Sequence, residues 1–402
     1  MDNITHTAAG ALFTEALYQT VRKKHGDKPK LRRNLHILSV FASNFPDFDL
    51  LLQLVDSSLL GYMTNHRGHT HTLLGLAAEF LFVLTASFLI SKFLFKSPFS
   101  KENLKYITPV LAFGLISHVS LDFMNAYGVH PFWPVNNKWL YGDFLYIIEP
   151  LLWITMSTAF FHIIKSGYFR YIFLGFSISS PLIFTSLGFS SWVNTTLVLL
   201  FSLVLFFHLK GKTPLRVAKE GLTFLVSIIC IFALQSTYAK SNLKTSLAKV
   251  TDGYKLIDIE TSPFPSNFMC WHFLGVFTDN TEYRVYSGTY SPSKLFSKSC
   301  PSWKGSKGVP PTITKLEDTD HIKFDGLYTQ PLKTLKDVYS LNCKTKAWFT
   351  YARIPFFFEN TLHDLRYSIK SKESFARLDL DSEQECLVIP SPWTPPREDI
   401  LF

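Results

Sequence analysis

At 402 residues, with 47% hydrophobic side chains, 38 phenylalanines and only 18% charged residues, the chain carries more apolar surface than an ordinary soluble core requires. Its formal net charge of +9 invites a polyanionic partner. The excess, however, sits in short loops between apolar runs, and no nucleic-acid module is recognisable, so DNA and RNA are excluded as partners.

Residues 1–6 are acidic and polar, with no basic n-region and no small-residue cleavage site. No cleavable signal peptide is expected, and insertion relies on internal spans. Residues 7–20 and 34–43 are apolar but brief, and read as half-spans or as helices packed on a bundle. Segments 72–95, 145–164, 171–190, 192–209 and 221–239 offer the roughly twenty apolar residues that cross a bilayer. Segment 107–123 is shorter and ends in His118 and Asp122. Alternating the loops collects the basic residues of 22–33, 96–105, 165–170 and 210–219 on one side. Over residues 1–239 the other side receives Arg67 and Lys138, so the positive-inside rule makes the first side cytoplasmic.

From Lys240 onward the chain holds most of its prolines and no span. Runs such as Tyr283-Arg284-Val285-Tyr286 and Ala347-Trp348-Phe349-Thr350-Tyr351 are rich in β-formers between turn signals. Cys270, Cys300, Cys343 and Cys386 form an even set suited to a disulfide-permitting compartment, and four cysteines allow three pairings. Cys230 lies within a span and is expected to be a packed apolar thiol, while 297–312 reads as an exposed loop. The expected fold is a polytopic α-helical membrane bundle with a C-terminal extracytoplasmic β-rich or α+β domain. Residues 1–165 would form a membrane-associated metal-site domain, 166–239 further transmembrane helices, and 240–402 the extracytoplasmic domain.

Carboxylates and imidazoles concentrate in four clusters before residue 150. Asp2 and His6 are four apart, either an N-cap beside an unrelated histidine or a ligand pair. Asp47 and Asp49 follow Pro46; capping accounts for one of them and leaves the other unexplained. His66-Arg67-Gly68-His69-Thr70-His71 is the richest run, with Arg67 a natural clamp for a phosphoryl group and Gly68 allowing a tight turn. His118 and Asp122 share one helix face. The alternation of loops gathers all four on the extracytoplasmic side. Asp143 and Glu149 are second-tier ligand or base candidates, with local capping or pairing the alternative for Glu149; Trp133 and Trp139 suit interfacial anchors.

Asp2-x-x-x-His6, Pro46-Asp47-x-Asp49, His66-Arg67-Gly68-x-Thr70-His71 and His118-x-x-x-Asp122 with Tyr127-Gly128 resemble the bacterial membrane-bound metal-dependent hydrolase family, which includes LexA-regulated inner-membrane proteins. The match covers roughly residues 1–165. Pro263 to Trp271 and His363-Asp364-Leu365-Arg366 are also similar to its longer members. That family resembles zinc-dependent phospholipase C and the P1-type nucleases. The resemblance implies His6, Asp47, His66, His71, His118 and Asp122 as metal ligands, with His69 at a variable position. It implies two or three zinc ions, with manganese an alternative. The phospholipase role of the N-terminal amine is not carried over to Met1.

The expected activity is metal-dependent hydrolysis of a phosphoester, such as a phospholipid or lipid-linked phosphate, at the bacterial inner membrane. Asp47, Asp49 or Asp143 would orient or deprotonate water, and Arg67 would hold phosphoryl oxygens. Two rivals use the same residues without hydrolysis: a metal transporter or sensor, which would place ligands near mid-membrane, and a scaffold stapled by closed metal sites. The sequence gives no oligomeric state.

Overall fold

A computed structural model describes residues 1–93, 101–164, 167–251, 253–301, 316–367, 374, 376–380 and 393–402. The N-terminal part is helical: α1 (Asn3–His25), α2 (Pro29–Ala42), α3 (Leu59–Asn65), α4 (Leu73–Phe93), α5 (Lys101–Phe123), α6 (Pro150–Ile163), α7 (Phe169–Ser186), α8 (Trp192–Leu209) and α9 (Pro214–Leu247). Two 3-10 segments, Phe45–Leu54 and His69–His71, lie in the connections. The helix starts follow capping chemistry. Asp2 accepts from the Thr5 amide, Ser58 from Gly61, Ser191 from Asn194 and Thr213 from Arg216, while Pro29, Pro150 and Pro214 open their helices.

Among the described residues four helices are long and apolar enough to cross a membrane: α4, α5, α8 and α9. Other expectations need correction. The span expected at 145–164 is α6, a 14-residue helix of about 21 Å, shorter than the ~30 Å apolar core. It is a core helix, packed by α1, α7, α8 and α9. The segment expected at 171–190 is α7, an 18-residue helix whose apolar run is diluted by serines, and it is not among those four. The short segment 7–20 belongs to α1, 23 residues long and packed by α2, α5, α6 and α9, so it is the central helix of the bundle. Segment 34–43 belongs to α2, which packs on α1 and α5, the second of its two expected readings, a helix packed on the bundle. Cys230 is exposed on α9 rather than packed.

At 34 residues, α9 runs about 51 Å, past the boundary read at 239, and joins the bundle to the C-terminal sheet. There β1 (Lys255–Phe264), β2 (Asn267–Thr278), β3 (Glu282–Tyr290) and β4 (Ile322–Pro331) form an antiparallel sheet in sequence order, with the short α10 (Lys294–Ser297) before β4. Then come α11 (Leu332–Ser340), α12 (Cys343–Phe349), the antiparallel β5 (Pro355–Phe358), β6 (Thr361–Asp364) and β7 (Arg377–Asp379), and α13 (Glu398–Leu401). One apolar core runs from Phe232, Leu243 and Leu247 of α9 into Trp271, Phe273 and Phe277 of the sheet. Cys270 pairs with Cys300; Cys343 is also disulfide-bonded, and Cys386 lies outside the described residues. Most of the loop read at 297–312 likewise lies outside them.

A buried ion network fastens the sheet domain to the loop before α6. Arg353 reaches Asp143 at 2.7 and 2.9 Å and Asp258 at 2.8 and 3.1 Å, and Lys240 adds a 2.7 Å bond to Asp143. Glu260 lies buried nearby, and burial, reinforced by the Asp143 charge, raises its carboxyl to about 7. Between its ordinary value of 4.5 and 7 the folded chain therefore holds a proton that the unfolded chain has released. The Glu260 contribution to stability must fall as pH rises through that window and level off above it. Melting temperatures of the detergent-solubilised protein should drop between about pH 5 and 7.5, and Glu260→Gln should flatten the slope; an unchanged slope in the variant would remove Glu260 as its source.

Candidate metal centre

The site forms where α2 ends against α5. Close approach is permitted by Gly114, where an added Cβ would lie 2.9 Å from the Ala42 Cβ and 3.0 Å from the Ser43 nitrogen. One turn later, His118 sets its Nδ1 2.7 Å from the Ser43 carbonyl oxygen. The chain then turns through Asn44 into the 3-10 segment Phe45–Leu54, which carries Asp47 and Asp49 inward. Asp47 does not cap this segment; its carboxylate meets the histidines. After α3 the strained residue is Arg67, at φ 58°, rather than Gly68 at φ −72°. Gly68 is needed for space, since a Cβ there would come 2.7 Å from the Asn65 carbonyl oxygen.

Asp47, His71, His118 and Asp122 each offer one ligand atom, all within 4.8 Å of one another. A carbonyl only accepts, so His118 Nδ1 carries the hydrogen and Nε2 presents its lone pair. That lone pair faces Asp47 Oδ1 at 3.2 Å and Asp122 Oδ2 at 3.5 Å. His71 repeats the arrangement. Thr70 Oγ1 donates to Asp49 Oδ2 at 3.0 Å and is left to accept from His71 Nδ1 at 3.0 Å. His71 Nε2 then faces Asp122 Oδ2 at 3.1 Å and Asp47 Oδ1 at 3.7 Å. Acceptors aimed at acceptors repel unless a cation or proton stands between them. Two imidazoles and two carboxylates, each histidine braced through its second nitrogen, fit zinc or a similar divalent ion.

A second group, Asp47, Asp49 and His66, shares Asp47 with the first. A carboxylate common to two positions is the arrangement a dinuclear centre uses. Asp49 is also an organiser: it accepts from the Arg67 amide at 2.8 Å and meets His66 Nδ1 at 3.1 Å. His6 stacks on His118 at 3.8 Å, with its Nε2 3.4 Å from Asp122 Oδ1 and both ring nitrogens buried without a hydrogen bond. Asp2 is the N-cap of α1, so in that pair the capping account holds for Asp2 while His6 joins the cluster. The N-terminal amine of Met1, left without a role by the sequence, is buried and donates to Asp122 Oδ1.

Two catalytic expectations change. The Arg67 guanidinium is already engaged, donating to Asp122 Oδ1 at 2.8 Å and to the carbonyls of Asp122 and Gly128 at 3.1 Å, and it lies 4.4 Å from the Tyr127 ring centre. It positions Asp122 and has its terminal nitrogens committed before any phosphoryl group arrives. Asp143 stands outside both ligand groups, bound by Arg353 and Lys240. Glu149 caps α6, accepting from Leu151 at 3.0 Å and from Ser266 at 3.0 Å, and burial raises its carboxyl to about 8. Trp139 is buried and donates to the Thr350 carbonyl, so it is a packing residue rather than an interfacial anchor. Trp133 packs with His69 and Trp393. The C-terminal domain reaches the site loop through Arg366, paired with Asp364 and donating to the Ala126 carbonyl at 2.7 Å.

Sequence reading missed the bracing by Thr70 and the Ser43 carbonyl. It also missed Glu79, a lone acid in the apolar α4, whose setting in an apolar span makes it a candidate site residue.

Residues 1–206, just over half of the chain, match the family model described as YdjM inner membrane protein. The chain belongs to the YdjM family. A curated relative of this YdjM-family protein is the uncharacterized protein YfhP of Bacillus subtilis (strain 168), 26% identical over 159 residues. The aligned part is 40% of this chain and 45% of that relative, so the chain spans less than half the length of the curated relative it matches. No solved structure matches.

If Thr70 fixes the His71 tautomer in this YdjM-family site, Thr70→Val should weaken zinc binding by roughly 10- to 100-fold with the fold intact. Titration against a chromogenic chelator measures this, and wild-type affinity in a folded variant would refute the bracing role.

Proposed function

We propose that this membrane protein is a metal-dependent hydrolase acting on a phosphoester carried by a lipid, either a phospholipid or a lipid-linked phosphate. One observation carries the lipid part of the reading. The segment that turns Asp47 and Asp49 inward leaves Leu51 59% and Leu54 86% exposed, and the following Val55 86% exposed. Bare aliphatic side chains beside metal-type carboxylates, on a chain with apolar spans, suit an element dipping into the bilayer edge.

When bound, divalent zinc or manganese supplies Lewis acidity toward a phosphoryl oxygen and lowers the pKa of an attacking water. The chain's own residues do the rest. Thr70 and the Ser43 carbonyl hold the tautomers of His71 and His118, and Arg67 holds Asp122 in place against its own buried charge. Of the carboxylates considered for orienting water, Asp49 and Asp143 already accept bonds from neighbouring donors. Asp47, with 11% of its side chain exposed, keeps access to solvent and is assigned that task. The water oxygen forms a bond to phosphorus and gives up one proton to solvent, the ester P–O bond breaks, and the departing alkoxide takes up a proton from solvent.

Zinc-loaded protein in phospholipid vesicles should release a phosphorylated headgroup and a free diglyceride in equal amounts, and Asp47→Asn should cut the rate by at least about 100-fold. Zinc-loaded wild type that matches the protein-free background across phospholipid and lipid-linked phosphate substrates would refute the hydrolase assignment.

A further inference from the structure

Glu79 is the buried acid that the site as described leaves unused. It is 8% exposed, both carboxylate oxygens are buried, and it has no hydrogen-bond partner among the described residues. It lies on α4 with Leu76 and Val83 at helical spacing, and all three are buried. Leu76 and Val83 pack into one core with Leu111, Leu115 and Val119 of α5 and with Phe45, so this face of α4 looks toward the helix and the 3-10 segment that carry the ligands. The nearby acids whose charges reach Glu79 are Asp49 and Asp47.

This placement is costly as it stands. A carboxylate buried without a partner loses its hydration, and two neighbouring carboxylates add repulsion. A packing requirement would be met at lower cost by leucine or glutamine. A cation shared with Asp47 and Asp49 removes both penalties.

The neighbouring ligand group has room for such a contribution. Asp49 divides its lone pairs among His66 Nδ1, the Arg67 amide and Thr70 Oγ1. That leaves Asp47 and His66 as the less committed members of the three. Glu79 brings two oxygens that no donor occupies. Among the described residues the Glu79 oxygens are not within 4.8 Å of all three of those ligand atoms, so, resting on the metal-site reading above, we propose that Glu79 completes the second divalent-cation position of Asp47, Asp49 and His66 through one bridging water.

The test uses full-length protein in detergent, loaded with zinc and separately with manganese. Metal content is read by mass spectrometry and affinity by chelator competition, for wild type, Glu79→Gln, Glu79→Asp and His118→Ala. Wild type should hold an ion at each of the two positions. Glu79→Gln, equal in size and neutral, should weaken the second ion by roughly 10-fold or more and leave the first unchanged. His118→Ala should lose the first. Metal-free melting curves report folding, and if the glutamine variant does not fold, Glu79→Asp carries the same test, with selective weakening of the second ion expected. Two ions bound with wild-type affinities in a folded variant would overturn the role of Glu79 while leaving the metal site standing. So would a wild type holding a single ion that Glu79→Gln does not disturb. A wild type that binds neither metal would overturn the metal-site reading, and this inference with it.

Discussion

The organisation of the N-terminal bundle depends on one electrostatic confrontation. His71 Nε2 and His118 Nε2 point at Asp47 Oδ1 and Asp122 Oδ2, and the second nitrogen of each ring is spent on an acceptor outside the cluster. Such an arrangement costs free energy unless positive charge sits at its centre, and the surrounding structure works to preserve it. Gly114 lets α5 close on the end of α2 so that His118 reaches Ser43. The left-handed backbone at Arg67 directs its amide to Asp49 and its guanidinium to Asp122. Both histidines of the cluster are thus braced through their second nitrogen, the pattern metal-binding imidazoles use.

The membrane and the sheet domain both bear on this centre. Four apolar helices make the chain a membrane protein, with α5 delivering His118 and Asp122 in its last turns. The long α9 shares one apolar core with the sheet, while Arg353 and Arg366 tie the sheet domain to the loops that follow α5. Through Arg366, the carbonyls of Ala126 and Tyr127 are held beside the loop whose Gly128 carbonyl steadies Arg67. Disturbance of the sheet domain therefore has a short path to the candidate ligands.

Much of this was legible in the chain because the relevant spacings are local. His118 and Asp122, one helical turn apart, meet the same partners, and the His66–His71 run and the Asp47–Asp49 pair fold onto them. The long apolar runs of α4, α8 and α9 were equally plain. What escaped depends on tertiary placement. Arg67 is a phosphoryl clamp by type, yet Asp122 and two carbonyls claim it in the fold. Asp143 is a base candidate by position, but Arg353, 210 residues away in sequence, captures it. Central α1 was read as short because its apolar run stops before Arg22, Lys23 and Lys24, although the helix continues to His25; within it Glu15 and Gln19 are buried, with Gln19 donating to Glu15 and Arg32 pairing with it.

X-ray absorption at the zinc edge, on zinc-loaded and washed protein in detergent, tests the central claim most directly. The account predicts a shell of nitrogen and oxygen at about 2.0–2.2 Å with imidazole scattering behind it, and a metal–metal distance of about 3.5–4 Å. Protein that retains no zinc, or a shell dominated by sulfur near ~2.3 Å, would contradict it.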